Sequence, residues 1–282
     1  MIKSFLIFLL LSLFSANCIS QNMSVMTYNI RYGLADDGEN SWEFRKGFLA
    51  SQINFYNPDF IGTQEGLPFQ IKFIDSLLNK HNFIGKNRDG DGKGEYSAIF
   101  YNKEKFELLK QHTFWLSTTP NKPSKGWDGA YPRICTYGLF KDNKTDQKFW
   151  IINTHLDHIG VKAREQSALL ILKKIREINV DKYPLVFMGD LNAEPESNPI
   201  KLLKTDLFDS KEISIEKPFG STGTFNAFQF DKPVTKRIDY IFISKNNTIK
   251  VKKYAVLSDS KNLKYPSDHL PVYVELLINR NK

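Results

Sequence analysis

The segment that decides the fold is Val186-Phe187-Met188-Gly189-Asp190-Leu191-Asn192, in which an apolar run ends in a glycine, a carboxylate and an amide. A short continuous apolar run predicts a buried strand, and the loops at strand ends are where functional side chains concentrate. Residues two apart in an extended chain face the same side, so Asp190 and Asn192 are expected to point into one site. Taken alone, the segment fits an Asx turn that merely ends the strand equally well.

Three further motifs accompany this segment in one order along the chain. Gln64-Glu65 follows an apolar run, Asn153-Thr154-His155 follows another, and Ser267-Asp268-His269 comes just before a third. Carboxylates, an amide and two histidines at strand ends suit a hard divalent cation and acid–base groups for phosphate chemistry. Each motif also has a structural explanation, such as a helix N-terminal carboxylate for Glu65. The occurrence of all four motifs in this order favours a shared functional site over four separate structural explanations.

Asp239 stands in an otherwise apolar predicted strand, where a carboxylate is costly to bury without a partner. His269 is the natural partner, and an Asp–His pair would set the tautomer of the histidine and raise its basicity. A solvent-facing Asp239 on an edge strand is the alternative. The spacing of His155 and His158 resembles that of zinc ligands, but the chain has too few cysteines and histidines for a closed zinc site.

Strands and helices alternate along one long domain. Helices are predicted over 42–55, 68–78 and 161–178, with strands at 25–31, 60–63, 184–188, 238–243 and 272–278 and a meander of four strands between 97 and 154. This order predicts an α/β fold in which two mixed β-sheets pack face to face with helices outside. No linker interrupts the chain and the motifs must converge, so residues 21–282 are predicted to form one catalytic domain.

Residues 1–20 have the pattern of a cleaved signal peptide, with a positive start, an apolar run too short to span a bilayer and small residues after it. Cleavage after Ser20 would leave Gln21 at the N-terminus. The pattern predicts export to the periplasm or the extracellular space, without a stable membrane span. A lipoprotein acylated at Cys18 is the weaker alternative, because the preceding residues match the usual lipobox poorly. Without Cys18 only Cys135 remains, so no intrachain disulfide can form.

The formal net charge is +8, which attracts phosphate-bearing partners. The lysines are scattered among acids, however, and no series of stacking aromatics accompanies them. The densest basic run, Lys250, Lys252 and Lys253, suggests the solvent face of a strand. This distribution favours a solvated surface over an extended nucleic-acid patch.

Together these motifs make the chain resemble the endonuclease/exonuclease/phosphatase superfamily over roughly residues 24–278. The pieces that carry the resemblance are Thr27-Tyr28-Asn29-Ile30-Arg31, Thr63-Gln64-Glu65, Asn153-Thr154-His155-Leu156, Gly189-Asp190-Leu191-Asn192, Arg237-Ile238-Asp239-Tyr240-Ile241 and Ser267-Asp268-His269-Leu270-Pro271. The resemblance implies a four-layered α/β sandwich and a hydrolase that cleaves phosphoester bonds with Mg²⁺ or Mn²⁺.

The resemblance also implies a metal site. Glu65 resembles the main metal ligand, with Asn29 beside it, and Asp268 resembles a second carboxylate on the metal side. Some members carry an acid at the position of Arg31. A cation at this position favours one bound metal over two.

Catalytic roles carry over in the same way. Asp190 and Asn192 resemble the pair that orients the attacking water and holds a phosphate oxygen. His269 with Asp239 resembles the histidine–aspartate pair at the phosphate. His155 resembles a second histidine that contacts phosphate or assists the leaving group.

Glu95 stands where some members place a carboxylate partner for His155. Residues outside the motifs that are candidates to face the substrate are Asp37, Trp115, Trp127, Arg133 and His158. Arg133 could make a bidentate phosphate contact, and a surface salt bridge at a strand end is its structural alternative.

The sequence therefore predicts an exported, Mg²⁺- or Mn²⁺-dependent phosphoesterase that hydrolyses a phosphodiester bond by in-line attack of water on a small substrate. A secreted nuclease of the same superfamily is the first alternative, and it would show strongly salt-dependent cleavage. A catalytically inactive binding protein on this fold is the second. The motifs do not identify the substrate or the oligomeric state.

Overall fold

The structure is a computed structural model that describes residues 21–246 and 248–278, so the predicted signal peptide lies outside the described residues. The strands are β1 (Gln21–Asn29), β2 (Phe60–Gln64), β3 (His81–Ile84), β4 (Ile99–Asn102), β5 (Phe106–Trp115), β6 (Ile134–Asp142), β7 (Lys148–His155), β8 (Leu185–Asp190), β9 (Leu207–Asp209), β10 (Phe219–Gly220), β11 (Asp239–Ser244), β12 (Ile249–Val256) and β13 (Val272–Ile278). The α-helices are α1 (Trp42–Tyr56), α2 (Pro68–Leu77), α3 (Val161–Ile178) and α4 (Asn198–Asp206).

The strands form two mixed sheets. The first has the order β10-β12-β13-β1-β2-β4-β3 and the second the order β5-β6-β7-β8-β11-β9. In each sheet a central parallel pair is joined through a helix, β1 with β2 through α1 and β7 with β8 through α3. Most of the remaining neighbours are antiparallel.

Three hydrophobic clusters define four layers. The largest is built from inward side chains of both sheets, including Val25, Phe60, Ile151 and Val186. A second joins the outer face of the second sheet to α3 and α4, and a third joins the first sheet to α1 and α2. Apolar side chains on both faces of a central strand explain why its sequence is a continuous apolar run. The predicted sandwich of two sheets with helices outside is confirmed.

The predicted helices form with small changes at their ends. Helix α3 spans the predicted residues 161–178 and buries Ala168, Ile171 and Leu172 on one face, as a period of 3.6 residues requires. Helix α1 ends at Asn57, which adopts a left-handed conformation that favours helix termination. Among the described residues no helix is both long enough and apolar enough to cross a membrane.

The predicted meander is only partly correct. Strands β5, β6 and β7 are consecutive antiparallel neighbours in the second sheet. Strand β4, predicted as the first member of the meander, instead pairs with β2 and β3 in the first sheet. The turn between β4 and β5 therefore crosses from one sheet to the other, which local sequence patterns cannot reveal.

Candidate active site

The carboxyl ends of the parallel strands meet at one edge of the sandwich. Asn29 of β1 is opposite Gln64 of β2, and His155 of β7 is opposite Asp190 of β8. The two sheets are joined beneath this edge because Gln64 Nε2 donates to Asn153 Oδ1 at 2.7 Å. Both amides are fully buried. This bond places motifs from the two halves of the chain in one site.

Three residues just beyond strand ends have left-handed backbones, with φ of 59° at Arg31, 63° at Glu65 and 46° at Asn192. Such conformations are uncommon in residues other than glycine and cluster at functional sites. At Glu65 the turn directs the carboxylate back toward β1. Its Oε1 accepts from Asn29 Nδ2 at 3.0 Å and its Oε2 accepts from the Tyr32 amide at 2.7 Å.

Asn29 bridges two carboxylates. Its Nδ2 donates to Glu65 Oε1 and also to Asp190 Oδ2, at 2.9 Å, while its Oδ1 accepts from the Arg31 amide at 3.0 Å. An amide oxygen can accept two hydrogen bonds, so one lone pair remains for a cation. Asn29 therefore fixes the spacing of the two carboxylates.

Oxygen ligands for a divalent cation are present at this point. Carboxylate oxygens of Glu65 and Asp190 and a His155 nitrogen lie within 4.8 Å of one another. Burial and the neighbouring Asp239 raise the pKa of Asp190 to about 7, and a nearby cation would favour its ionised form. Hard oxygen ligands of this kind fit Mg²⁺ or Mn²⁺. Asp268, predicted on the metal side, lies outside this cluster and beside Arg31, with Nη1 3.5 Å from Oδ2.

His269 and Asp239 form a buried pair, with Nδ1 of the histidine 2.8 Å from Oδ2 of the aspartate. Burial alone would lower the pKa of His269, but the charges of Asp239 and Asp190 outweigh it and raise that pKa well above its usual range. His269 is therefore an imidazolium. Its Nε2 faces Asp190 Oδ2 at 3.8 Å.

His155 has the opposite protonation state. Burial and the nearby guanidinium groups of Arg133 and Arg88 lower its pKa well below the usual range. Arg133 Nη1 lies 3.0 Å from His155 Nδ1, and Nη2 lies 3.1 Å from His158 Nδ1. A guanidinium has only donors, so both Nδ1 atoms must accept. Each neutral imidazole therefore carries its proton on Nε2.

The Nε2 proton of His155 faces Asp190 Oδ2 at 3.4 Å. Asn192 Nδ2 lies 3.0 Å from the same nitrogen and donates to the Leu156 carbonyl at 3.1 Å. A protonated Nε2 cannot ligate a metal. We therefore expect the carboxylate oxygens of Glu65 and Asp190 to bind the cation. His155 is close enough to be a third ligand, but its protonated Nε2 has no free lone pair.

One cavity of about 530 Å³ opens over these groups. It is lined by many of the predicted site residues: Glu65, Glu95, Arg133, His155, His158, Asp190, Asn192, Asp268 and His269. Asn29 and Asp239 are fully or almost fully buried behind the lining. The structure thus brings the four motifs together at one surface.

Four other residues predicted near the substrate or His155 have different positions or partners in the structure. Glu95 pairs with Arg88 at 2.7 Å, whereas the Nδ1 of His155 is bound by Arg133. Trp127 is not among the described residues that line the cavity. Trp115 is buried and donates from its indole to the Arg88 carbonyl at 2.6 Å, and Asp37 pairs with Arg31.

Several residues that line or support the cavity were not predicted from the sequence. Arg88, Tyr131 and Lys236 line the cavity. Asp157 is 2% exposed and accepts hydrogen bonds from the amides of Ala130 and Gly160 at 2.9 and 2.7 Å. The position of Asp157, two residues after the motif histidine His155, was the only available hint.

Comparison with known proteins identifies the family. A sequence model of the endonuclease/exonuclease/phosphatase family matches residues 26–269. The chain belongs to this family. The assignment confirms the predicted fold and enzyme class, a hydrolase that acts on phosphoester bonds, in a family that depends on a divalent metal.

Solved structures of family members share most of this fold. An endonuclease/exonuclease/phosphatase family protein from Bacteroides thetaiotaomicron superposes with a TM-score of 0.88 at 37% identity, covering 93% of this chain and 99% of that protein. A mannosyl-6-phosphatase from the same species superposes with a TM-score of 0.85 at 38% identity, covering 90% of this chain and 99% of that protein.

A more distant relative is the CCR4-Not complex 3'-5'-exoribonuclease subunit Ccr4 of Kluyveromyces lactis. It is 24% identical over 306 residues, which cover 85% of this chain but only 38% of the relative. This chain therefore corresponds to less than half of that larger protein.

Proposed function

We propose that this enzyme hydrolyses the phosphate ester of a small molecule, with phosphorylated sugars as the substrate class. The observation that carries the proposal is the convergence of the Glu65–Asp190 pair and the His155–His269 pair on one compact cavity. A volume of about 530 Å³ suits a small ligand. A sugar phosphate is favoured because the mannosyl-6-phosphatase is 38% identical over 90% of this chain.

The cavity has positive groups for a phosphate. Lys236 lies with Nζ 5.4 Å from the ring of Phe225, and Phe225 contacts His269. Among the described residues Lys236 has no carboxylate partner at salt-bridge distance. It can therefore attract a phosphoryl group next to the His269 imidazolium.

The residues divide the chemistry between them. A bound divalent cation, held by Glu65 with Asp190 beside it, would stabilise negative charge on the phosphoryl oxygens. Asp190 and Asn192 orient the water that attacks phosphorus. The His269 imidazolium donates a hydrogen bond to a phosphoryl oxygen. The neutral His155 donates a hydrogen bond from Nε2 to the leaving oxygen. The attacking water loses a proton to the Asp190 carboxylate, and a proton returns to the leaving oxygen to give the alcohol.

Phosphodiester hydrolysis, the reaction predicted from the sequence, is the second candidate. The observation in its favour is the match between 85% of this chain and relatives named as exoribonucleases. A diester has two organic substituents, so it needs an open groove on both sides of the phosphorus. The volume of about 530 Å³ over the candidate site favours the smaller monoester.

The test compares substrates under one condition. Purified enzyme with Mg²⁺ is given hexose 6-phosphates, a small phosphodiester and a short RNA, and kcat/KM is measured for each. We expect the hexose phosphates to have the highest value. Higher kcat/KM for the diester or the RNA would reject the monoester proposal in favour of the second candidate.

Metal dependence is tested in the same assay. Excess chelator should abolish activity and Mg²⁺ should restore it, and Glu65→Gln should weaken Mg²⁺ binding in calorimetry while thermal unfolding stays cooperative. Glu43→Gln, which changes an exposed carboxylate on α1, is the matched control. Full activity in excess chelator would contradict a metal-dependent reaction.

We also propose that the enzyme is exported after removal of residues 1–20. The support is the sequence pattern of that segment. Mass spectrometry of the protein recovered from a secreting host should give a chain that begins at Gln21. An intact N-terminus in an exclusively intracellular protein would contradict export, and an acylated Cys18 would support the lipoprotein alternative.

A further inference from the structure

The part of the cavity next to His155 has a second set of polar groups. Arg88 and Glu95 pair at 2.7 Å, and each side chain is only 12% exposed. Tyr131 is 50% exposed and lines the same cavity. We call Arg88, Glu95 and Tyr131 the Tyr131 wall. None of these residues is assigned above to contact the cation or the phosphate.

The wall is rigidly supported. The Arg88 guanidinium lies 4.8 Å from the centroid of the Tyr131 ring, and the His158 ring stacks on Tyr131 at 6.0 Å with an interplanar angle of 16°. Below it, Asp157 accepts from the Tyr131 amide at 3.3 Å. The Arg88 amide donates to the Glu95 carbonyl at 2.9 Å. These contacts restrain the side chains in the absence of a ligand, which reduces the entropy cost of binding.

The wall keeps hydrogen-bonding capacity for a ligand. Only Oε2 of Glu95 is bound by Arg88, and the Tyr131 phenol can both donate and accept. The wall therefore offers donors and acceptors side by side.

The charges of the wall are balanced. Arg88 is neutralised by Glu95, and the neighbouring Arg133 has Asp157 at 3.5 Å. An unbalanced guanidinium would favour a second phosphate or a carboxylate. A balanced set of donors and acceptors instead suits hydroxyl groups, because each hydroxyl both donates and accepts.

We propose that the Tyr131 wall is a subsite for a polyhydroxylated, uncharged leaving group, such as the ring of a hexose whose phosphate lies at His269 and Lys236. This inference rests on the proposed phosphoesterase function. The wall adjoins His155 through Arg133, which contacts both His155 and the Tyr131 ring. A hexose ring at the wall would therefore lie beside His155, in the cavity that both line.

The experiment compares two esters that differ only in hydroxyl groups. Hexopyranose 6-phosphates and (tetrahydropyran-2-yl)methyl phosphate are both primary alkyl phosphates on the same six-membered ring, and phosphate release gives kcat/KM for each. We expect the wild-type enzyme to prefer the hexose phosphate by about a hundredfold, as expected for several lost hydrogen bonds. Tyr131→Ala and Glu95→Gln should each reduce this ratio by about tenfold, chiefly through KM.

Phe55→Ala, which removes an aromatic ring that is 82% exposed on α1, is the control and should leave the ratio unchanged. Thermal unfolding of every variant checks that the fold is retained. If the wild-type enzyme hydrolyses both esters with no preference, or if neither wall variant changes the ratio, the subsite is refuted while the phosphoesterase function stands. If the wild-type enzyme hydrolyses neither ester but cleaves other phosphoesters, the subsite is refuted together with the monoester proposal.

Discussion

At the scale of single residues, Asp190 lies between two histidines in opposite protonation states. His155 Nε2 is 3.4 Å and His269 Nε2 is 3.8 Å from its Oδ2. Burial and the Arg133 guanidinium lower the pKa of His155, whereas the charges of Asp239 and Asp190 raise the pKa of His269 despite its burial. Two identical side chains thus take different roles because of the groups bound to their Nδ1 atoms.

The His269–Asp239 pair should act as a unit. Asp239→Asn removes the charge that favours the imidazolium and can present an N–H to Nδ1, so kcat should fall about a thousandfold or more. His269→Ala should lower it at least as far. The loss in the double mutant should be close to the larger single loss, because the two residues form one hydrogen-bonded pair. Strictly additive losses in steady-state kinetics would contradict the coupling.

Arg133 should control the tautomers of His155 and His158. Arg133 is 6% exposed, and its guanidinium contacts the two histidines and Asp157. These contacts support a positioning role, while its bidentate contact with phosphate stays a prediction. In Arg133→Met the Nδ1-protonated form of His155 should appear, and kcat should fall more than about tenfold as hydrogen bonding to the leaving oxygen weakens.

Nitrogen-15 NMR of the histidine side chains in chelator measures these tautomers directly. Arg176→Met, which removes an exposed arginine paired with Asp206, is the matched control and should leave the histidine signals unchanged. A wild-type spectrum in which both histidines carry the proton on Nδ1 would show that the assigned tautomers are wrong.

At the scale of elements, the end of β8 depends on a glycine. Gly189 has a φ of +150°, and a Cβ at this position would lie 2.0 Å from the Thr154 carbonyl oxygen of β7. The close approach of the two parallel strands brings Asp190 opposite His155. The glycine of the motif is therefore needed for the geometry of the catalytic edge.

Gly189→Ala should reduce the free energy of unfolding by more than about 3 kcal/mol, since backbone atoms would have to move. Gly47→Ala is the control, because a Cβ at Gly47 in α1 has no heavy atom within 4 Å. It should be neutral or stabilise by up to about 1 kcal/mol, as a helical glycine-to-alanine change does. Urea unfolding measures both values, and equal stabilities would contradict the steric argument.

At the scale of the whole molecule, each sheet contributes half of the site and buried amides join the halves. Gln64 binds Asn153, and Asn153 Nδ2 donates to the carbonyls of Thr63 and Ala98 at 2.9 and 2.8 Å. The positive charge, by contrast, is spread over the surface. Lys141, Lys174 and Lys204 each pair with a nearby glutamate.

Scattered, paired lysines predict weak binding to nucleic acid. We expect kcat/KM on a small phosphoester to exceed that on duplex DNA at physiological salt. Measurement of cleavage across a salt series tests this, because contacts to several phosphates produce a steep decline in affinity with salt. Efficient, steeply salt-dependent cleavage of DNA without turnover of small esters would support the nuclease alternative.

The sequence by itself determined the layers and most side chains that meet at the candidate site. Apolar runs and 3.6-residue periodicity are local, so helix α3 and the strand that ends at Asp190 could be predicted from the residues within them. The order of the motifs along the chain then indicated the endonuclease/exonuclease/phosphatase family. Side chains at strand ends, such as Glu65 and His155, were predicted for the same reason.

Only the tertiary structure decided how these side chains are paired. Arg133 reaches His155 across 22 positions of the chain, and Asn29 reaches Asp190 across 161. Such partners are brought together by strand register and loop path, which no local pattern encodes. The same reason explains why Glu95 was assigned to His155 but binds Arg88, and why Tyr131 had no signal: its environment is made by residues from separate loops.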